Sequence, residues 1–471
     1  MYIRYQIGNP SIKTESVVQK LEVTDGKMPG WGYNRQQRSM SYCLGEKDLV
    51  YGLGETVRGM NKRGWRYISN NADETFHEEE KNSLYSSHNF FVIISAGKSI
   101  GIYVDTPGVV EFDIGYTKLN QIILRFEEFD ADLYYKEGRS PQEVIREFRE
   151  LTGRSYIPPR WAFGYGQSRF SYMDEDEIRT LIKSYKKAGF PIDSVYLDID
   201  YMEEYKDFTV NKERFPNFSD FVNEMQEEHI HLVPIIDAGV KKDENYEVCR
   251  EGVEKDYFCR KENGEYLVGA VWPGKAYFPD FMKPDFGKPA VRAWWADNQK
   301  YLVDLGVRGV WNDMNEPAIF YTEDHLKEVF EKIHEYENQN LDINTFFEFK
   351  ALLDSIALST DDFKRFYHEV NGKMIRHDKV HNLYGYNMTR AAGEAFERLV
   401  PDRRILMFSR SSFVGMHRYG GVWTGDNRSR WGHILLNLQQ LTGLNMCGFL
   451  YCGADVGGFR ADATEDLLLR W

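Results

Sequence analysis

The sequence predicts an α/β protein: a (β/α)8 barrel of the TIM type, seven strands of which lie in this chain, preceded by an N-terminal β-sandwich domain. Three observations predict it. Closely spaced runs of Val, Ile, Phe and Tyr, broken by Gly, Pro, Asp and Asn, fill the first third of the chain. Further on, apolar strand-like runs alternate with amphipathic helices. Those later runs end, one after another, in charged side chains.

The sandwich is expected over residues 1–156. Its strands are read from HNFFVIISAG (88–97), SIGIYVDTPG (99–108), VVEFDIGY (109–116) and NQIILRFEEFDADLYYKEG (120–138). A helix over 140–153 follows, with Ser140 as N-cap, Pro141 in the first turn and Gly153 as the stop. The stiff IPPR segment (157–160) opens the barrel domain, 157–471.

In the barrel, AFGYGQ (162–167) leads to a helix over 174–189. There Ile178, Leu181, Ile182 and Tyr185 share one face, acids crowd the start and lysines the end. The next strands are SVYLDID (194–200), HLVPIIDAG (231–239), VRGVWND (307–313), RILMFSR (404–410), GVWTGD (421–426) and MCGFLYCGAD (446–455). Helices are expected near 217–229, 289–305, 389–399 and 431–441. The connections at about 240–288 and 317–385 are too long for plain loops and read as insertions that shape a pocket.

Composition narrows the function. Lys and Arg number 59 against 73 Asp and Glu, a net charge of −14, which argues against nucleic-acid or anionic-membrane partners. No run approaches the ~18 apolar residues of a membrane span, and the first residues carry no apolar leader core. The five cysteines include no CxxC pair, which disfavours a disulfide framework and a zinc knuckle and suits a reducing, cytoplasmic setting. Aromatics make up 15% of the chain, a surplus suited to stacking on sugar rings.

The strand ends carry the chemistry. Asp198 and Asp200, Asp237, Asp313, Arg410, Asp426 and Asp455 follow successive apolar runs, and in a barrel such ends converge. Each Asp could be an ordinary turn cap, but a ring of acids is harder to explain that way, because like charges repel unless compensated. Two chemistries fit. A hard-ion site could use Asp198 and Asp200; no histidine stands at these ends to complete a transition-metal set. Glycoside hydrolysis by paired carboxylates suits the flanking Trp311 and Trp423, and Trp272 in the first insertion.

WNDMNEP (311–317) resembles the nucleophile signature of the α-glucosidases of glycoside hydrolase family 31, and WTGDNRSRW (423–431) resembles that family's acid/base signature. SRSSFVGMHRYGG (409–421), GADVGGF (453–459), RYISNNADE (66–74), YGLGE (51–55) and VHNLYGYNMTRAAGEAF (380–396) extend the similarity over nearly the whole chain. The resemblance implies retaining, exo-acting hydrolysis with Asp313 as nucleophile and Asp426 as acid/base. It implies that Asp198 and Arg410 bind sugar hydroxyls and that Trp272, Trp311 and Trp423 wall the pocket for the glucose being released. Ile199 is read as pocket lining or plain core, Asp73 as a loop acid that either reaches the leaving sugar or is simply solvated, and Phe170 as an aromatic on that leaving side. Asp237 and Asp455 are read as supporting the reacting groups rather than touching sugar, and HEEEK (77–81) as a solvated loop. Gly457 and Gly458 are expected where backbone passes close to the pocket.

The expected activity is therefore an exo-α-glucosidase on short α-glucosides, α-1,6 and/or α-1,4 linked, with no metal or organic cofactor. The partner is a small α-glucoside or oligosaccharide; no nucleic acid or membrane is expected, and a homo-oligomer is left open. α-Xylosidase, transglucosidase and α-glucan lyase activities share the motifs, and a silent carbohydrate-binding fragment is the alternative of another class. The resemblance also implies an eighth strand carrying a histidine beyond Trp471, so the chain is expected to be truncated and, alone, to aggregate and hydrolyse little.

Overall fold

The computed structural model describes residues 1–283 and 290–471. The chain divides into two compact units, one of Met1–Pro159, Lys379–Glu394 and Asp402–Trp471, the other of Arg160–Asp378 and Ala395–Pro401.

The first unit opens with ten strands: β1 (Ile3–Ile7), β2 (Trp31–Asn34), β3 (Ser39–Cys43), β4 (Leu49–Gly52), β5 (Trp65–Ser69), β6 (Phe90–Ser95), β7 (Lys98–Asp105), β8 (Val110–Ile114), β9 (Gln121–Phe126) and β10 (Ala131–Gly138). They make two five-stranded antiparallel sheets, β1-β10-β7-β6-β4 and β2-β3-β9-β8-β5. Alternation explains the layering. In β9, Ile122, Leu124 and Phe126 are buried while Gln121, Ile123 and Arg125 are partly exposed. Those inward residues join Val50, Phe91, Ile93, Ile102, Phe112 and Leu133 in one core, each such side chain contributing about 1.5–3 kcal/mol of burial. Helix α1 (Pro141–Thr152) starts where Ser140 accepts the Glu143 N–H, stops at Gly153, whose φ is +98°, and buries Val144, Phe148 and Leu151. Phe148 stacks on Phe90 with ring centroids 3.7 Å apart.

One buried acid in this sandwich makes stability depend on pH. Asp105 accepts hydrogen bonds from Thr14 Oγ1 at 2.6 Å and Tyr103 OH at 3.0 Å. Burial pushes its carboxyl up to about 6, a rise that the hydroxyl bonds limit. With an unfolded value of about 3.9, the folded state holds the proton more tightly. This contribution is full below about pH 3.9 and is lost as pH rises through about 6. Asp105→Asn stays neutral at every pH, so it should raise the thermal midpoint relative to wild type more at pH 8 than at pH 4. The difference should be on the order of 2 kcal/mol; equal changes at both pH values would exclude a buried charge here.

The second unit carries β11 (Gly166–Gln167), α2 (Glu175–Ala188), β12 (Ser194–Leu197), α3 (Phe218–Glu227), β13 (His231–Asp237), β14 (Val240–Lys241), α4 (Glu247–Glu254), β15 (Arg260–Lys261), β16 (Gly269–Val271), β17 (Gly274–Tyr277), α5 (Ala290–Asp304), β18 (Gly309–Asp313), β19 (Tyr321–Thr322), α6 (Glu323–Glu335), α7 (Ile343–Asp354), β20 (Phe366–Val370) and β21 (Lys373–Arg376). Strands β11, β12, β13 and β18 pair in parallel in that order. Helix α2 is capped by Asp174, ends at Gly189 and buries Ile178 and Ile182, as its pattern predicts. The two insertions build small antiparallel sheets, β14-β17-β16-β19 and β15-β20-β21, besides α4, α6 and α7.

The chain then runs through α8 (Tyr384–Leu399), β22 (Leu406–Ser409), β23 (Gly421–Trp423), α9 (Trp431–Met446), β24 (Cys452–Gly453) and α10 (Glu465–Arg470). Strands β22, β23 and β24 pair in parallel. Among the described residues the parallel strands thus number seven, as expected.

Several bounds differ from the sequence reading. Strand β12 stops at Leu197, because the Asp198 carboxylate accepts the Ile199 N–H at 2.7 Å and turns the chain into a short 3-10 helix, Ile199–Tyr201. Asp198 and Asp200 therefore do not share a strand face; Asp200 instead pairs with Arg214 at 2.8 Å. Residue 446 belongs to α9, and only Cys452–Gly453 of the seventh run is a strand. Residues 284–288 of the first insertion and the start of the helix expected at 289 lie outside the described residues. Among the described residues no helix is long and apolar enough to cross a membrane, and the five cysteines form no disulfide.

Candidate active site

In the second unit the parallel register sets Asp237 directly opposite Asp313 at the ends of β13 and β18. Asp313 is half-buried and its Oδ1 accepts the Met314 N–H at 2.7 Å. Met314 takes a left-handed backbone conformation, with φ +55°, so the chain turns sharply as soon as the strand has delivered Asp313. Trp311, two residues earlier, donates from its indole N–H to the Leu197 carbonyl at 3.2 Å. That bond ties the end of β18 to the residue preceding Asp198. Ile199 is buried within the turn that Asp198 caps.

Beneath Asp237 lies an acid that the sequence did not single out. Asp207 accepts the Asp237 N–H at 2.9 Å. Burial pushes its carboxyl well above the usual range, only partly offset by that N–H. It sits in a loop of ordinary polar composition, so no pattern marked it.

Phe170, read as lining the leaving side, and Trp272, read as a wall of the pocket for the released glucose, lie beside each other. Their ring centroids are 5.9 Å apart, and Trp272 also meets Phe320 edge-on at 5.4 Å. Phe170 is 55% and Trp272 44% exposed, so their faces are open to a ligand.

The first unit holds the other charged groups. Arg410 is buried just past β22, its guanidinium 3.6 Å from the Asp73 carboxylate and 4.6 Å from the centre of the Tyr85 ring. Asp73 is therefore a largely buried partner of Arg410, with 9% of its side chain exposed, rather than part of a solvated loop. Asp426 follows β23. Its N–H donates to Tyr85 OH at 3.4 Å, and its carboxylate lies 3.5 Å from Arg460. Burial raises the Asp426 carboxyl; Asp73 adds to the rise, while Arg410 and Arg460 oppose it. Asp455 is pushed up to about 7 by burial and by the charge of Asp426. Trp423, half-buried, meets Phe408 edge-on at 5.8 Å.

Two glycines permit this packing. A Cβ on Gly425 would lie 2.2 Å from the Tyr85 ring, and one on Gly458 would lie 2.2 Å from the Ser429 nitrogen. Asn427 locks the same two segments together, donating to the Asp455 carbonyl at 2.9 Å and accepting the Phe459 N–H at 3.0 Å. Sequence reasoning missed Tyr85, Arg460 and Asn427. Asn427 lies inside the quoted WTGDNRSRW motif and Arg460 directly follows GADVGGF, whereas Tyr85 lies outside the quoted motifs. The HEEEK run is not wholly solvated either: His77 is buried, with its ring stacked at 6.1 Å on His433, and Glu78 pairs with Arg430 at 2.7 Å.

Comparison with known proteins agrees with the fold. Residues 155–471 match the family model described as the TIM-barrel domain of glycosyl hydrolases family 31, and residues 14–113 match that family's N-terminal galactose mutarotase-like domain. Alpha-glucosidase 2 of Bacillus thermoamyloliquefaciens is 34% identical over 96% of this chain and 52% of its own length. The alpha-glucosidase of Saccharolobus solfataricus is 32% identical over 90% of this chain and 59% of its own. The chain thus spans between half and three-fifths of the length of these relatives. Among solved structures, a family 31 alpha-glucosidase from Bacteroides thetaiotaomicron superposes with a TM-score of 0.72 at 30% identity, over 90% of this chain and 63% of that one.

Proposed function

Because this chain belongs to glycosyl hydrolase family 31, we propose that it carries the reacting groups of a retaining exo-α-glucosidase. The substrate is a short α-glucoside, and terminal non-reducing glucose leaves through a covalent glycosyl-enzyme. Asp313 attacks the anomeric carbon. Asp426 protonates the departing oxygen and then deprotonates water. The observation that carries this reading is the raised carboxyl of Asp426 within an acid/base-like motif: a group that must hold a proton near neutrality is held in an environment that favours the proton. Asp198 and Arg410 bind hydroxyls of the glucose, with Ile199, Trp311 and Trp423 lining its pocket. Asp237 and Asp455 support the reacting carboxyls, and Asp73 bears on the leaving sugar. Cysteines without disulfides support a reducing, cytoplasmic setting.

The test is the anomer of the first product. Proton NMR of the intact protein acting on maltose and isomaltose should show α-glucose formed before mutarotation. Initial β-glucose would overturn retention, and release of xylose in preference to glucose from matched aryl glycosides would convert the reading to an α-xylosidase.

Linkage choice must arise on the leaving side, because every substrate presents the same glucose to the hydrolytic pocket. Phe170, Trp272 and Phe320 form the open aromatic surface suited to it. Isomaltose should be accepted well. Phe170→Ala should change the ratio of kcat/KM for isomaltose and maltose by about tenfold while leaving an aryl glucoside within about twofold. An unchanged ratio removes Phe170 from linkage choice.

A further inference from the structure

The two insertions of the second unit meet in a cluster of unusual composition. Cys259, Asp280 and His368 are all buried, and each offers a ligand atom within 4.8 Å of the others. Cys259 Sγ is 3.7 Å from His368 Nδ1, which is in turn 2.6 Å from Asp280 Oδ1. The outward sides of these groups are already engaged. His368 Nε2 is 2.7 Å from His377 Nδ1, and Asp280 Oδ2 accepts the Glu369 N–H at 2.8 Å. His377 is fixed in turn by stacking on Phe366 at 4.3 Å. Asp280 Oδ1 also accepts the Met282 N–H at 3.3 Å.

The surroundings are apolar: Cys259 belongs to a core with Leu267, Val271, Phe278, Ile319 and Phe366. Placing a thiol, a carboxylate and two imidazoles there costs free energy, part of which their mutual hydrogen bonds offset, with Cys259 Sγ also directed at the Pro279 carbonyl at 3.7 Å. The glycosidase reading uses none of the four. Neighbouring Lys283 is held away by Asp256 at 2.5 Å and Glu369 at 3.4 Å.

We propose that Cys259, Asp280 and His368 supply three of the four donors of a zinc ion that staples the first insertion to the second. One sulfur, one imidazole nitrogen and one carboxylate oxygen are the donor types that zinc takes. A thiolate and a carboxylate together balance the charge of a divalent ion. The Sγ to Nδ1 separation of 3.7 Å is close to the edge of a tetrahedron with zinc–ligand bonds of about 2.0–2.3 Å, whereas the 2.6 Å between His368 Nδ1 and Asp280 Oδ1 is a hydrogen bond that must open by roughly 0.7 Å for both atoms to meet the ion. The contact of His368 with His377 is the outer hydrogen bond that fixes a metal-bound imidazole in orientation. On loading, the Cys259 thiol releases its proton to solvent, and the proton that His368 Nδ1 shares with Asp280 Oδ1 leaves Nδ1 as the two imidazoles shift tautomer, so that Nδ1 presents its lone pair, Nε2–H donates to His377, and His377 carries its own proton on Nε2. Sequence spacing conceals the site, because its ligands come from two separate insertions, Cys259 just before β15, Asp280 after β17 and His368 within β20.

The test uses the intact protein and zinc itself. The wild type, stripped with a chelator and titrated against a chromophoric competitor, should take up one zinc per chain and unfold at a higher temperature when loaded. Cobalt should give a thiolate-to-metal charge-transfer band. Cys259→Ser should abolish that band and weaken zinc by at least about tenfold, and His377→Gln should weaken it by about 10- to 100-fold. The uptake measurement on wild type needs no variant to fold. Failure of the wild type to bind zinc would overturn the proposal, leaving the cluster as a buried hydrogen-bond chain. So would zinc binding that Cys259→Ser leaves unchanged.

Discussion

Asp313→Ala in the intact protein should lower kcat by roughly 10^4- to 10^6-fold on every α-glucoside, because a methyl group cannot form the glycosyl ester. The fold should survive. Asp313 is half-buried at the end of β18, and the strand itself is set by its backbone pairing with β13 and by the buried Val310 and Asn312. The thermal midpoint should therefore stay near that of wild type. Two readouts separate chemistry from damage. A glucosyl fluoride whose deglycosylation is slowed should add one sugar to the peptide containing Asp313 in wild type and none in the variant. Azide should partly rescue the variant by attacking the anomeric carbon directly, giving the inverted β-glucosyl azide. Activity within tenfold of wild type, or labelling at another acid, would remove Asp313 from the nucleophile's role.

The legible parts of this molecule are those where local chemistry and tertiary demand agree. In β9 the alternation of QIILRF matches one buried and one partly exposed face, so the sandwich could be read directly. Ser140 and Asp174 stand at helix starts because their side chains satisfy backbone N–H groups that nothing else reaches, and both helices begin there. Asp313, Arg410 and Asp426 could be placed because each closes an apolar run.

Other features depend on contacts between distant positions, which no window of sequence displays. Asp198 shows the competition most clearly. Its residue type favoured capping over continuing β12, and the cap won, which moved Asp200 onto Arg214. Strands as short as Val240–Lys241 and Arg260–Lys261 carry too few residues to show a period, so the sheets of the insertions were invisible. Tyr85 reaches Asp426 across more than three hundred residues, and Cys259 meets His368 across more than a hundred.

Asp426→Ala should divide substrates by leaving group. Maltose and isomaltose depart as poor leaving groups and need a proton, so their kcat/KM should fall by about 10^2- to 10^4-fold. An aryl glucoside with an acidic phenol needs little help in its first step, so its kcat/KM should fall far less. Its kcat should still fall, because the second step loses its base and glycosyl-enzyme accumulates. Azide needs no base. It should restore turnover of the aryl substrate by attacking the β-linked glycosyl-enzyme, giving α-glucosyl azide, the opposite anomer to that expected from Asp313→Ala. The pH profile supplies an independent check. Asp426 works as an acid only while protonated, so activity on maltose should fall as pH rises through its value. Burial and Asp73 lift that value, so the alkaline limb should lie above the usual carboxylate range, while Arg410 and Arg460 restrain the rise. Arg460→Ala removes one restraint, so the limb should shift to higher pH. In Asp426→Ala the limb should vanish for the aryl substrate. Equal losses on maltose and the aryl glucoside, no azide product and an unchanged alkaline limb would together assign the proton to another group.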